Sequence, residues 1–244
     1  MIEVSAVEKR FGEVRAVAGV SFRAEDGTVT ALLGPNGAGK TTTLRMITSA
    51  IDPDAGTVTI DGVEARADPL RARSRIGLFS DNRGLYQPLT SRENVRYNGE
   101  LHGLDRATID RRIDVLFPML EMESFADRRV GGFSLGQRMK VAIARALVHD
   151  PSNVLLDEPT AGLDVMATRA LREVVRRLRQ QGKCVILSTH VMQEVVALAD
   201  RVVVIAGGKV KADATCDELL ARTHAATLED AFLATIGTEE GVQL

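Results

Sequence analysis

The chain has 244 residues, of which 45% are hydrophobic and 26% charged, and its formal net charge is −2. This is the composition of a globular protein with room for one large domain or for a domain with an insertion. The near-neutral balance excludes a global basic field that would recruit nucleic acid or anionic lipid, so we expect no nucleic-acid partner.

Nothing in the sequence suggests a membrane span or a secretion signal. No apolar stretch approaches the ~20 residues that a transmembrane helix needs, and the first residues lack the layout of a signal peptide. Cys184 and Cys216 form no CxxC pair and are expected to be reduced, structural thiols. We therefore expect a cytoplasmic protein whose link to a membrane is made through a partner.

Short strands and helices alternate along most of the chain. Alternating or continuous apolar runs predict strands at 2–7, 14–22, 28–33, 56–62, 76–79, 154–156, 185–187 and 202–205. Helical segments separate the later runs, beginning with a helix at 39–50, which is typical of a mainly parallel sheet covered on both faces.

The region 87–130 differs, because it contains no predicted strand. Thr90 and Glu93 form a capping-box pattern ahead of a helix, and residues 109–120 are amphipathic. We interpret 87–130 as a helical insertion in a single domain whose core is 1–86 and 131–214. Residues 215–244 are expected to form a helical C-terminal tail.

Between the third predicted strand and the helix that follows, the sequence fits the phosphate-loop pattern G-x-x-x-x-G-K-[ST] at every fixed position. Backbone N–H groups of such a loop surround a β-phosphate, and the helix N-terminus adds positive potential. Lys40 is expected to reach the β- and γ-phosphate oxygens, and Thr41 to ligate Mg²⁺. The predicted nucleotide-binding residues are Gly34, Pro35, Asn36, Gly37, Ala38, Gly39, Lys40, Thr41 and Thr42.

An apolar run at 154–156 ends in two adjacent carboxylates, Asp157 and Glu158. Ligands of parallel sheets bind at the carboxyl ends of the strands, where this pair is expected to lie. Adjacent strand residues point to opposite sides, so the two acids should have different roles. We expect Asp157 to hold Mg²⁺ and Glu158 to orient and polarise the attacking water. The alternative is a solvated pair of acids at a strand end.

Three more motifs complete a set that is known from one family. They are Phe133-Ser134-Leu135-Gly136-Gln137-Arg138, opening a helix at 139–148, then Pro159-Thr160-Ala161-Gly162-Leu163-Asp164, and finally Ser188-Thr189-His190. With the phosphate loop they resemble the ordered motifs of ABC-type ATPases over nearly the whole chain. The resemblance implies an α/β fold: a P-loop NTPase core with a mainly parallel sheet, an N-terminal antiparallel β subdomain and an inserted helical subdomain.

The same resemblance implies how ATP is held. In the family, the helix start at Ser134, Gly136 and Gln137 points at the γ-phosphate bound by a second copy, so that two chains sandwich two ATP molecules. Ser134 and Gln137 also form a capping box, and the simpler interpretation is a well-started helix. Asp164 lies in the loop that crosses the interface.

Two further residues match family positions for nucleotide contact. His190 matches the histidine that contacts the γ-phosphate, and is predicted to be catalytic with Glu158 and Lys40; the alternative is a solvated loop histidine. Phe11 matches the aromatic residue on which adenine stacks, and the alternative is a core aromatic in an N-terminal strand.

The sequence departs from the family pattern at two positions. Leu135 replaces the first glycine of the signature motif, which leaves Ser134 and Gly136 in place. Asp81 stands where a glutamine normally senses the γ-phosphate and Mg²⁺, and we hypothesise that it coordinates Mg²⁺.

The resemblance implies an ATPase that binds ATP and Mg²⁺ and powers a transporter. The expected partners are an integral membrane permease subunit and a second copy of the chain or a closely related ATPase, on the inner face of the cell membrane. The segments 81–86 and 227–233 look like those of ATPase subunits of sodium- and drug-extruding ABC exporters, and this narrower similarity predicts export. The alternatives are a soluble ABC-type ATPase acting on a non-membrane partner, and a phosphate-loop kinase or GTPase, which would not explain the motif at 134–138.

Overall fold

The computed structural model describes residues 1–80 and 84–237. Its strands are β1 (Ile2–Phe11), β2 (Val14–Ala24), β3 (Val29–Leu33), β4 (Ala55–Ile60), β5 (Val63–Glu64), β6 (Ile76–Ser80), β7 (Asn153–Asp157), β8 (Cys184–Thr189), β9 (Arg201–Ala206) and β10 (Lys209–Ala214). Its helices are α1 (Lys40–Ile47), α2 (Pro69–Arg73), α3 (Ser91–Leu101), α4 (Arg106–Met119), α5 (Leu135–Leu147), α6 (Val165–Gln180), α7 (Met192–Leu198), α8 (Cys216–Thr223) and α9 (Leu228–Ile236).

The strands form two sheets. The first is antiparallel, with the order β2-β1-β4-β5, and the second has the order β10-β9-β3-β8-β7-β6. In the second sheet all neighbours from β9 to β6 are parallel, and only β10 pairs antiparallel. The central strands β3 and β8 are buried along their whole length, as expected when both faces are covered. The predicted α/β class, with a mainly parallel sheet and an N-terminal antiparallel sheet, is confirmed.

The helical part of the chain, which consists of α3, α4 and α5, packs beside β6 at one edge of the parallel sheet. The predicted capping box is present: the Thr90 hydroxyl accepts from the Glu93 N–H at 3.1 Å, and α3 begins at the next residue. Helices α3, α4 and α5 share one core, which includes Ile109, Ile113 and Met139. Within 84–130 the structure contains helices and turns but no strand, as the sequence predicts.

Several boundaries differ from the predictions. The helix predicted at 139–148 begins at Leu135, because the Ser134–Gln137 capping box places the first turn there. The edge strand β10 has no counterpart among the predicted strands. Polar and apolar residues alternate along it and only Ala214 is fully buried, so it lacks the large apolar run on which the other strands were recognised.

No helix in the described ranges is both long enough and apolar enough to cross a membrane.

Candidate active site

The phosphate loop joins the buried strand β3 to helix α1, which begins at Lys40. Gly39 precedes the helix with a φ of 105°, in the left-handed region. A Cβ at this position would stand 2.6 Å from the carbonyl oxygen of Ala16 in β2. Both conditions require glycine, because a side chain would be strained by the backbone angle and would collide with the neighbouring strand. The structure therefore requires the glycine that the motif has at this position.

The Lys40 side chain is almost fully buried inside this loop. Its Nζ donates to the carbonyl oxygens of Gly34, at 2.6 Å, and Pro35, at 3.1 Å, and lies 3.4 Å from Glu158 Oε1. A buried ammonium is stable only when it is paired and hydrogen-bonded in this way. The structure thus holds a positive charge at the loop and links it to the acid pair.

Asp157 ends β7 and faces Thr41 at the start of α1. The Thr41 hydroxyl lies 3.0 Å from Asp157 Oδ2 and 3.3 Å from Oδ1. Hydroxyl and carboxylate oxygens are ligands that Mg²⁺ accepts, and Mg²⁺ usually takes one or two protein ligands beside phosphate oxygens and water. The pair therefore fits a nucleotide-bound Mg²⁺, although the described residues contain no group of three or more metal-ligating side chains.

Glu158 follows Asp157 but makes different contacts. Its Oε2 lies 2.9 Å from His190 Nδ1, and its Oε1 faces Lys40. The backbone of Glu158 has a φ of 46°, a left-handed conformation that is unusual for glutamate. Strained residues of this kind concentrate at functional sites. The structure thus brings the three predicted catalytic residues, Lys40, Glu158 and His190, into one contiguous cluster.

The predicted interface residues form a second group. Ser134 is exposed and caps α5: its hydroxyl accepts from the Gln137 N–H at 3.2 Å, and Gln137 Oε1 accepts from the Ser134 N–H at 3.1 Å. Asp164 likewise caps α6, accepting from the Ala167 N–H at 2.8 Å. A Cβ on Gly136 would lie 3.2 Å from the Ala167 Cβ. The starts of α5 and α6 therefore lie side by side.

The departure at Leu135 has a structural counterpart. A Cβ on Gly162, in the loop before Asp164, would lie 3.1 Å from Leu135 Cδ2. The leucine side chain therefore packs on that loop, between the starts of α5 and α6. This contact is not visible in the sequence, because the two residues belong to different motifs.

Two remaining candidates lie at the margins. Phe11, at the end of β1, is 50% exposed, which excludes the interpretation as a core aromatic, and Lys9 Nζ lies 5.9 Å from its ring centroid. Asp81, the hypothesised Mg²⁺ ligand, lies outside the described residues. Sequence reasoning placed Ser188 in the motif Ser188-Thr189-His190 but gave it no role, because its contact with Asp157 depends on the pairing of β7 and β8.

A phosphate loop and an acid pair that meet at the carboxyl edge of a parallel sheet define the class: the protein is a phosphate-loop nucleoside triphosphatase. A model of the ABC transporter family matches residues 17–161, more than half of the chain. The chain belongs to this family, as an ATP-binding subunit with ATPase activity.

Curated relatives agree with this assignment. The chain is 46% identical over 215 residues to the ABC transporter ATP-binding protein NatA of Bacillus subtilis, covering 86% of this chain and 87% of the relative. It is 39% identical over 224 residues to the Nod factor export ATP-binding protein I of Ralstonia nicotianae, covering 92% and 69%. A daunorubicin resistance ATP-binding protein of Streptomyces coeruleorubidus is 36% identical over 222 residues, covering 91% and 70%.

Solved structures share the fold. The ATP-binding subunit of an ABC transporter superposes with a TM-score of 0.89 at 28% identity, covering 97% of this chain and 100% of that one. A dimeric ATP-binding cassette in a post-hydrolysis state, bound to ADP and Pi, superposes with a TM-score of 0.78 at 27% identity, covering 88% and 98%.

Proposed function

We propose that two copies of this chain, or this chain and a closely related one, close on two ATP·Mg²⁺ and thereby power export through a separate membrane permease. One observation carries the proposal. The signature serine, Ser134, is exposed at the start of α5, and within the described part of the chain its hydrogen bonds go to Gln137 and not to Lys40, Glu158 or His190. A second copy could supply it to the opposite nucleotide.

Each member of the cluster has a chemical role in this proposal. Lys40 and the loop N–H groups bind the β- and γ-phosphates, and Glu158 orients the attacking water and accepts its proton. His190 holds the Glu158 carboxylate by its hydrogen bond and faces the γ-phosphate. Thr41 and Asp157 would hold Mg²⁺, which neutralises charge on the phosphates. Because the reactants are held in place, the protein acts mainly by positioning and electrostatics.

The surface beside Asp164 favours dimerisation. Val165 is 83% exposed and Met166 is 72% exposed, at the start of α6 and next to the Leu135–Gly162 contact. Surfaces with adjacent, strongly exposed apolar side chains are often covered by a partner, whereas single exposed apolar side chains are common on any protein. The solved dimeric cassette of the same fold supports this arrangement.

The role of Ser134 in a dimer can be separated from its role as a cap. In a Glu158→Gln background, which slows hydrolysis, we expect ATP to shift the chain to a dimer in size-exclusion chromatography with light scattering. Adding Ser134→Ala should abolish that shift. Thr215→Ala is the matched control, since Thr215 forms an equivalent capping box with Glu218 at α8. If both variants dimerise alike, the sandwich is wrong and Ser134 is only a cap.

The permease is proposed to bind at the helical part of the chain. A cleft of about 470 Å³ lies between β6, α3 and α5. Arg73 and Arg145 line it, no acidic residue lines it within the described ranges, and Leu78 at its wall is exposed. This surface fits a short segment of the permease that carries apolar and acidic side chains.

Co-purification from detergent-solubilised membranes tests the docking. Leu78→Glu should release the membrane subunit, whereas Leu233→Glu, which alters a somewhat more exposed leucine on α9, should retain it. ATP-dependent dimerisation of the isolated chain should be unchanged in both variants. A membrane subunit that stays bound to the Leu78→Glu chain would place the docking elsewhere. Recovery of a non-membrane partner alone would favour the soluble ATPase alternative.

The transported solute is proposed to be sodium or a drug. A drug is supported by the relative named as a daunorubicin resistance ATP-binding protein, and export in general by the Nod factor export ATP-binding proteins. Sodium rests on the narrower resemblance of the sequence to sodium-extruding exporters. The assembled transporter in vesicles should show ATP-dependent efflux of such a solute, and its ATPase rate should rise with that solute on the side from which it is removed. Import under the same conditions would contradict the proposed direction.

A further inference from the structure

Ser188 is a serine of β8 that is 0% exposed, in a strand whose preceding residues are Cys184, Val185, Ile186 and Leu187. A buried hydroxyl is unfavourable unless it is hydrogen-bonded. The Ser188 hydroxyl is hydrogen-bonded, because it donates to Asp157 Oδ1 at 2.8 Å. This residue has no role in the chemistry described above.

The sheet itself sets this contact. Asp157 and Ser188 are direct register partners in the parallel pair of β7 and β8, so their side chains lie on the same face. The ladder continues past the strand end, where the Glu158 N–H donates to the Ser188 carbonyl oxygen at 2.9 Å. Ser188 therefore holds Asp157 with its side chain and Glu158 with its backbone.

The contacts of Asp157 divide into two kinds. Thr41 contacts it from the nucleotide side, where a metal ion would also bind. Ser188 contacts it from inside the sheet, where it is fully buried and out of reach of solvent. The hydrogen bond from Ser188 fixes Oδ1 of the carboxylate, and Oδ2 is the oxygen nearer to the Thr41 hydroxyl, at 3.0 Å against 3.3 Å for Oδ1.

We propose that Ser188 is a positioning residue, which orients the Asp157 carboxylate for Mg²⁺ without contacting metal or nucleotide itself. The inference rests on the proposed metal role of Asp157. A hydrogen bond to a charged group is stronger than one between neutral groups. Removing it should weaken the metal-dependent part of ATP binding by about tenfold, which corresponds to about 1.4 kcal/mol.

Equilibrium binding of ATP to the full chain tests this without any measurement of turnover. ATP affinity is measured in EDTA and at rising Mn²⁺, all in the Glu158→Gln background. Ser188→Ala should raise the half-saturating Mn²⁺ concentration about tenfold and leave affinity in EDTA within twofold. Ser188→Thr keeps the hydroxyl and should stay within threefold of the parent.

Ser91→Ala is the matched control. Ser91 is also 0% exposed, and its hydroxyl donates to the Phe125 carbonyl oxygen at 3.0 Å in the helical part of the chain. If Ser188 had only a structural role, Ser188→Ala and Ser91→Ala would change the half-saturating Mn²⁺ concentration equally, or Ser188→Ala would lose as much ATP affinity in EDTA as in Mn²⁺. Either result overturns the proposal, as does a normal Mn²⁺ dependence of Ser188→Ala or a full loss in Ser188→Thr.

Two further variants make each outcome decisive. If Ser188→Ala is unfolded, Ser188→Cys replaces it, since a thiol has similar volume but donates weakly; it should shift the Mn²⁺ midpoint at least threefold. Asp157→Asn tests the underlying metal site. If Asp157→Asn leaves the Mn²⁺ midpoint unchanged, the metal role of Asp157 fails. If it shifts the midpoint while Ser188→Ala does not, only the role of Ser188 fails.

Discussion

Acidification should destabilise the protein through His149, which lies in the cleft between β6, α3 and α5. Its ring stacks on that of His102, with centroids 3.7 Å apart and an interplanar angle of 5°. Its Nε2 lies 2.9 Å from the Ile76 carbonyl oxygen, and its Nδ1 is buried without a hydrogen bond in the described part of the chain. Burial, with the neighbouring His102 as a second cause, lowers the pKa of His149 from 6.5 to about 4.

The size of the effect follows from proton linkage. Above pH 6.5 His149 is neutral in both the folded and the unfolded chain, so its contribution is fully present. Between pH 6.5 and pH 4 the unfolded chain takes up a proton on His149 and the folded chain does not. The free energy of unfolding therefore decreases as the pH is lowered through this range. With a folded pKa of about 4, the loss between pH 7 and pH 5 is about 2 kcal/mol. The positive charge of Arg112 lowers the pKa of His149 further, and the negative charge of Asp150 raises it.

Urea unfolding at pH 7 and pH 5 measures this loss. In His149→Gln the difference in unfolding free energy between the two pH values should be smaller than in the wild type by about 2 kcal/mol. His224→Asn is the control, because it replaces an exposed histidine in a left-handed conformation that asparagine tolerates. The reasoning is refuted if His149→Gln has the pH dependence of the wild type, or if His224→Asn loses as much of it.

Three other substitutions should change the free energy of unfolding in urea. Thr90→Ala removes the α3 capping box and should cost about 1 kcal/mol; no change would mean that the cap is dispensable. Met139→Ala truncates a side chain that is 1% exposed in the helical core and should cost about 2 to 5 kcal/mol, with the lower value if the core collapses around the site; no loss of stability would contradict its place in the core. Gly162→Ala forces a side chain at a φ of 74° and against Leu135, and should cost about 1 to 2 kcal/mol. Adding Leu135→Ala should recover only the part due to contact, and full recovery would show that the backbone angle contributes nothing.

Local motifs with a fixed physical requirement were predictable from the sequence. The phosphate loop was recognisable because Gly39 and Lys40 stand between a continuous apolar run and a helical stretch, and the structure has β3 and α1 on either side of them. The start of α3 was equally visible, since Thr90 and Glu93 supply both halves of a capping box. Such signals lie within a few residues of each other, so tertiary packing is not needed to interpret them.

Contacts between distant motifs could not be predicted in the same way. The left-handed backbone of Glu158 and the packing of Leu135 on Gly162 depend on where separate segments meet in space. The hydrogen bond from Ser188 to Asp157 depends on the register of β7 and β8, which no short motif encodes. The sequence predicted separate contacts for Asp157 and Glu158 because side chains alternate along a strand. In the structure the reason is different: β7 ends at Asp157, and Glu158 adopts a left-handed backbone conformation.

The backbone tie between Glu158 and Ser188 restricts how the site can move. It joins the end of the strand bearing the acid pair to the strand that leads into His190, in the middle of the parallel sheet. Glu158, for which we propose the water-orienting role, and His190 are therefore held by neighbouring strands of one sheet, and sliding one strand past the other would break the hydrogen bonds between them. We therefore expect any movement driven by ATP to occur between elements that contact each other only through side chains. The helices α3 to α5 would move relative to the parallel sheet, and the sheet would keep its shape.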